Sequence, residues 1–240
     1  MSSPRPLEGK VAVLTGVSRP GQVGETVARS LAEGGAAVVL IDRTGHDSEM
    51  RANELRADGL KAFPHRADLT DTAQVDEVVR AVAAEFEGID ALVNIAGGFS
   101  ATGKVAESDP IAWARQMAIG LTTAYVTTRA FLPLTRKRQG SIVFFASSAA
   151  LPGARVAEIS AYAASKAAVI TLMRAVAQEE RDTGVRANAL APTSIRTASN
   201  LESMAPNTKY VERSEVADAV RFLCFSEAGR AITGQVIQLG

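Results

Sequence analysis

Short runs of consecutive apolar residues alternate along this chain with longer stretches whose apolar positions recur every three or four residues. The short runs read as strands over residues 10–15, 36–41, 61–65, 89–95, 141–146, 185–190 and 235–239. The longer stretches read as helices over about 23–33, 48–57, 72–87, 110–134, 161–180 and 215–225. Val75, Val78, Val79, Val82 and Phe86 show the helical spacing plainly. Ser214 is positioned to cap the last helix, and Gly184 to end the long one before it. Strand–helix alternation argues for an α/β fold with a parallel sheet wrapped on both faces. The strands are continuous apolar runs, as expected when both faces are covered. With no repeat and no linker, the expectation is a single-domain, Rossmann-type doubly wound sheet of about seven strands spanning residues 1–240.

Composition narrows the function. The 240 residues are 47% hydrophobic and 22% charged, which excludes extensive disorder. Lys plus Arg and Asp plus Glu both number 26, so the basic footprint of a nucleic-acid binder is missing. Cys224 is the single cysteine, and His46 and His65 are the two histidines, which argues against a disulfide, a paired-cysteine zinc site or a multi-histidine metal site. No apolar run approaches the ~18 residues of a membrane span, and the first ten residues do not resemble a signal peptide. A cytoplasmic protein with no membrane partner is expected.

Several groups can carry chemistry. The first strand runs into Thr15-Gly16-Val17-Ser18-Arg19-Pro20-Gly21-Gln22-Val23-Gly24, a glycine-rich turn at a strand–helix junction. Such a turn lets backbone N–H groups and a helix N-terminus approach a pyrophosphate, although an ordinary tight turn has the same composition. Asp42 ends the second strand, where a carboxylate accepts from the ribose hydroxyls of NAD and repels the 2′-phosphate of NADP. Arg19 and Arg43 favour the phosphate instead. NAD is the favoured cofactor on balance. Tyr162 and Lys166 lie one helical turn apart on one face, where an ammonium lowers a phenol pKa toward acid–base use. Ser147 and Ser148 follow the fifth strand, at the sheet edge where open α/β folds bind ligands. Gly98 to Lys104 nearly spells a phosphate-binding P-loop, but Val105 stands where a Ser or Thr is needed. No Gly-x-Ser-x-Gly elbow occurs.

Taken together and in order, these residues resemble the short-chain dehydrogenase/reductase family over nearly the whole chain. The resemblance rests on Thr15-Gly16 with the later glycines, Asp68-Leu69, Asn94-Ile95-Ala96-Gly97, Ser147, Tyr162 to Lys166, and Pro192 to Thr197. It implies strand order 3-2-1-4-5-6-7 and a nicotinamide cofactor over the carboxyl edge. It implies that Gly16, Ser18, Arg19, Gly21, Val23, Gly24, Asp42 and Arg43 meet the dinucleotide. Asp68 and Leu69 would lie at the adenine, and Asn94, Ala96 and Gly97 beside the cofactor. Pro192, Ile195 and Thr197 would lie at the carboxamide, and Lys166 at the nicotinamide ribose. Ser147, with Ser148 as a substitute, would polarise a carbonyl while Tyr162 exchanges the proton. The implied activity is hydride transfer on a carbonyl/alcohol pair, the substrate being a small molecule or borne on an acyl carrier. A homodimer or homotetramer is implied as well.

Three departures stand out. The glycine turn is two residues longer than the family pattern, Gly120 occupies the place of an asparagine that supports the proton relay, and Pro192-Thr193 replaces proline-glycine. The first two favour a competing reading, a catalytically weak or inactive NAD(P)-binding regulator. An enoyl reductase is less favoured, because related enzymes separate Tyr and Lys by six residues and only three intervene here. Residues 198–212 correspond to a substrate lid, short and interrupted by Pro206, which fits an open site. Phe99, Leu151, Ile159 and Met204 are the expected apolar pocket walls.

Overall fold

A computed structural model describes residues 5–17 and 19–240. Seven strands pair in parallel in the order β3-β2-β1-β4-β5-β6-β7, as expected. They are β1 (Val11–Thr15), β2 (Ala37–Asp42), β3 (Ala62–Arg66), β4 (Ala91–Asn94), β5 (Ser141–Phe145), β6 (Arg186–Pro192) and β7 (Val236–Leu239). The helices are α1 (Val23–Glu33), α2 (Gly45–Ala57), α3 (Thr72–Glu85), α4 (Pro110–Met117), α5 (Thr123–Lys137), α6 (Ser160–Glu179), α7 (Ala198–Ser203) and α8 (Arg213–Phe225). Among the described residues no helix is long and apolar enough to cross a membrane.

Successive strand residues feed opposite cores, because their side chains alternate across the sheet. Leu14, Leu40, Val93 and Phe145 pack with Val27 and Leu31 of α1 and Val220 and Leu223 of α8. Val13, Ile41, Leu92 and Phe144 pack on the other face with Val78 of α3, Phe131 of α5 and Met173 of α6. Full burial of such aliphatic side chains stabilises by about 1.5–3 kcal/mol each. Thr15 lies opposite Ile41 and Asn94, which aligns the carboxyl ends of β2, β1 and β4. The strand order reverses at β1, so a crevice opens between the segments that follow β1 and β4.

Two helix boundaries differ from the sequence pattern. Ser214 lies inside α8. The cap is Glu212, whose carboxylate and that of Glu215 satisfy each other's backbone amides in a capping box. The long helix from Pro110 is interrupted by a π turn over Ala118–Thr122 and runs on to Lys137. A π turn inserts a residue into the helical ladder without disturbing side-chain hydrophobicity, so the apolar spacing gave no sign of it.

Candidate active site

The cradle after β1 is built from backbone. Gly16 has φ +76°, and a Cβ on it would lie 2.8 Å from Ala96 Cα. A Cβ on Gly24 would lie 2.5 Å from the Gly16 carbonyl oxygen, so only glycine lets α1 start this close to the strand end. Val23, buried, opens α1, and Gln22 before it provides no side-chain cap. The first-turn amides of α1 therefore face the crevice without a side-chain acceptor from the capping position, which suits a pyrophosphate. The turn also contacts α7. Gly21 accepts from Ala198 N at 2.9 Å, and Gln22 Nε2 donates to Ser199 Oγ at 2.9 Å. One expected donor is already engaged, since Gly21 N donates to Glu25 Oε2 at 2.7 Å. Glu25, which the sequence pattern did not single out, also pairs with Arg51 at 3.1 Å. Arg19 is exposed at the rim, and Ser18 lies outside the described residues.

The adenosine side is marked by two acids. Asp42 ends β2 half-buried, and its Oδ1 accepts from Thr44 N and Thr44 Oγ1, both at 3.1 Å. Asp68 Oδ1 accepts from Thr70 Oγ1 at 2.7 Å and Thr70 N at 2.9 Å. Those hydrogen bonds, aided by exposed Arg43, hold the Asp68 carboxyl below the usual carboxylate range. Leu69 beside it is buried.

Asn94, at the end of β4, turns its side chain away from the crevice edge and into α5. Its Oδ1 accepts from Thr127 Oγ1 at 2.7 Å and its Nδ2 donates to Thr128 Oγ1 at 3.0 Å. The carboxamide turns into α5 and ties that helix to the end of β4. Ala96 N donates to Thr15 Oγ1 at 3.1 Å, fixing the segment that leads to Gly97.

Ser147, Tyr162 and Lys166 converge at the carboxyl end of β5. Ser147 is 7% exposed, and its Oγ accepts from Ala149 N at 3.2 Å. The Ser147 side chain, and not that of half-buried Ser148, lies near enough to Tyr162 to favour its phenolate. Burial outweighs it and holds the Tyr162 phenol above its ordinary value. Lys166 is buried and donates to the Phe145 carbonyl at 2.7 Å. Desolvation brings its ammonium down to about 8. At Tyr162 burial outweighs the expected lowering by the ammonium, and Lys166 engages the Phe145 carbonyl with one of its three donors. Phe99 meets the Tyr162 ring edge-on at 5.1 Å.

The far wall comes from β6 and the segment after it. Pro192 ends β6 buried, and half-buried Ile195 forms a bridge to Val211. Thr197 Oγ1 accepts from Asn200 N at 3.2 Å and caps α7. α7 is six residues long and stops before Pro206. Of the expected apolar walls, Phe99 and Met204 are exposed, while Leu151 and Ile159 are half-buried.

The family described as short chain dehydrogenase matches residues 10–207, most of the chain and every element of the crevice up to α7. The chain belongs to that family. A 2,3-dihydro-2,3-dihydroxybenzoate dehydrogenase of Bacillus subtilis is 30% identical, covering 93% of this chain and 92% of the relative. A hexahydroindene-carboxyl-CoA reductase of Mycobacterium tuberculosis is 34% identical, covering 97% and 92%. A short-chain type dehydrogenase/reductase from Mycobacterium ulcerans superposes with TM-score 0.87 at 28% identity, covering 97% of this chain and 89% of the other. An actinorhodin polyketide ketoreductase solved with NADPH superposes with TM-score 0.85 at 27% identity, covering 96% and 95%. The dehydrogenase family binds nicotinamide cofactors, and the crevice fits one. Gly16 and Gly24 leave room no side chain leaves, Asp42 and Asp68 supply acceptors, and Lys166 supplies a buried donor beside the close-approaching Gly97.

Proposed function

We propose that this dehydrogenase transfers hydride between NAD and a carbonyl/alcohol pair, with Ser147, Tyr162 and Lys166 handling the proton. The observation that carries the reading is the meeting of Ser147 and Tyr162 one helical turn from buried Lys166, beside the glycine cradle. The nicotinamide, when bound, supplies or accepts the hydride. In the reducing direction Ser147 Oγ donates to the carbonyl oxygen and Tyr162 gives its phenolic proton to the alkoxide as it forms. In the oxidising direction the phenolate takes the proton back. Lys166, whose ammonium sits near 8, is charged over most of the neutral range and stabilises the phenolate that follows proton release. The preference for NAD rests on Asp42, whose carboxylate the Thr44 hydrogen bonds fix at the end of β2, where a ribose suits it and a phosphate does not.

The substrate class follows from the walls. Phe99, Leu151, Ile159 and Met204 favour an apolar body, and the six-residue α7 acts as a short lid that leaves the mouth open to a large or carrier-borne molecule. The relative whose name specifies a carboxyl-CoA substrate is in keeping with this. Two copies pair across α5 and α6, where Leu121 of the π turn, Tyr125, Ala168 and Leu172 line a groove of about 440 Å³.

Tyr162→Phe tests the assignment. Turnover on a carbonyl panel with NADH falls by about 10²–10⁴-fold, the usual worth of a general acid. NADH affinity by calorimetry stays within about threefold, a free-energy change under 1 kcal/mol. Full activity in the variant overturns the acid–base role, and NADH binding without any turnover in the wild type supports the regulator instead.

A further inference from the structure

Behind Tyr162 and Lys166 lies a buried polar group that the described residues satisfy only in part. Gln116, on α4, is 1% exposed. Its Nε2 donates to the Gly98 carbonyl at 2.9 Å, while its buried Oε1 has no hydrogen-bond partner among the described residues. Native interiors rarely leave a carboxamide acceptor unpaired, so such an atom points to a donor beyond the described residues.

Two sets of contacts connect Gln116 to the reacting pair. The first runs through Gly98. On one side of it, a Cβ on Gly97 would lie 3.4 Å from Lys166 Nζ and 3.8 Å from the Ile119 carbonyl oxygen. On the other side, Phe99 packs edge-on against Tyr162. One hydrogen bond from Gln116 thus holds the short segment that touches both Tyr162 and Lys166. The second set surrounds Gly120, in the π turn one helical turn beyond Gln116. A Cβ there would lie 2.8 Å from Ser165 Cβ and 3.7 Å from Gln116 Nε2. The Ser165 side chain fills the place where residue 120 has no side chain, and the Gln116 carboxamide borders it.

We propose that Gln116 is a positioning residue for the Tyr162–Lys166 pair: Nε2 anchors residues 97–99 against the pair, and Oε1 accepts from the inner end of a water path that reaches the Lys166 ammonium. The inference rests on the proposed reading of that pair as proton-handling. The groups facing Lys166 from β5, from the Gly97 segment and from the π turn are uncharged, and Tyr162 is the titratable neighbour on its own helix.

The test uses the full chain without cofactor or substrate. Carbon-13 label at lysine Cε gives six signals, one per lysine of the sequence, and the one missing in Lys166→Arg is that of Lys166. In Gln116→Met, which loses both hydrogen bonds, the Lys166 pKa falls by about 0.5 unit or more, because the path that solvates the ammonium loses its acceptor. In Gln116→Glu, which keeps an acceptor, it stays at the wild-type value or rises. An unchanged pKa in Gln116→Met, or an equal fall in both variants, overturns the path. If Gln116→Met does not fold, a fall in Gln116→Glu alone overturns it, and a value at or above wild type supports it. Amide hydrogen exchange over residues 97–104 reads the anchor, with about tenfold faster exchange expected in either variant and unchanged exchange overturning that half. Because neither readout uses NADH, a failure to bind NADH overturns the proposed function alone.

Discussion

The segments that follow β1 and β5 face the same crevice and are built on opposite principles. The first is a cradle of backbone, in which Gly16 and Gly24 win their positions by having no Cβ and the charged residues stand at the rim. The second is a wall of side chains, in which Ser147, Tyr162 and Lys166 hold polar atoms out of solvent. A backbone cradle costs little desolvation and is rigid because sterics allow one arrangement. A polar wall is costly, and each buried group needs a partner. Lys166 finds the Phe145 carbonyl, Asn94 finds Thr127 and Thr128, and Gln116 is satisfied at one end. Shape makes the first region and buried polarity makes the second.

The comparison is broken most severely at Gly16. In Gly16→Ala the positive φ and the approach to the Ala96 backbone leave a methyl nowhere to go. NADH affinity falls by about 100-fold or more and the melting temperature drops, as strain and displaced backbone together cost about 3 kcal/mol. Calorimetry and thermal unfolding check this, and wild-type affinity would show that the cradle is not sterically determined.

The opposite sign is expected in the wall. Lys166→Met replaces a buried ammonium by an apolar side chain of similar length and stabilises the fold at pH 7 by about 1–3 kcal/mol, while turnover is lost. The pH dependence follows from the depressed pKa. The unfolded chain holds the lysine proton up to about 10.5 and the folded chain only up to about 8. Between these values the unfolded state binds more protons, so wild-type stability rises with pH and the advantage of Lys166→Met narrows across that window. Urea unfolding at pH 7 and pH 10 measures it. An advantage that widens with pH contradicts the burial cost.

A smaller effect is expected at the rim. Asp42→Ala lowers NADH affinity by about tenfold, the loss of one charge-assisted hydrogen bond. NADPH affinity is unchanged or improved, because the repelled phosphate loses its opponent and Arg43 remains. Parallel titrations decide it, and an equal loss for both cofactors would mean that Asp42 only shapes the turn.

Legibility in the sequence follows the same division. Gly16 and Gly24 were recognisable because a steric requirement restricts the residue type. Tyr162 and Lys166 were recognisable because helical spacing places them on one face. Glu25, Gln116, Thr127 and Thr128 were not, since each acts through a partner distant in the chain or through a turn whose course the residue types do not dictate. The direction of the Asn94 side chain was not legible either, because a strand end permits it to face the crevice or α5.

The amino-acid sequence by itself determined the alternation of strands and helices, the parallel sheet, the glycine junction and the order of the reactive residues. All of these follow from local periodicity and from residue types that few conformations accept. The tertiary structure decided which serine acts on Tyr162, that Lys166 donates to the Phe145 carbonyl, and how the turn after β1 docks on α7. Those outcomes depend on burial and on groups far apart in the chain brought within about 3 Å, a hydrogen-bond distance that no local pattern encodes.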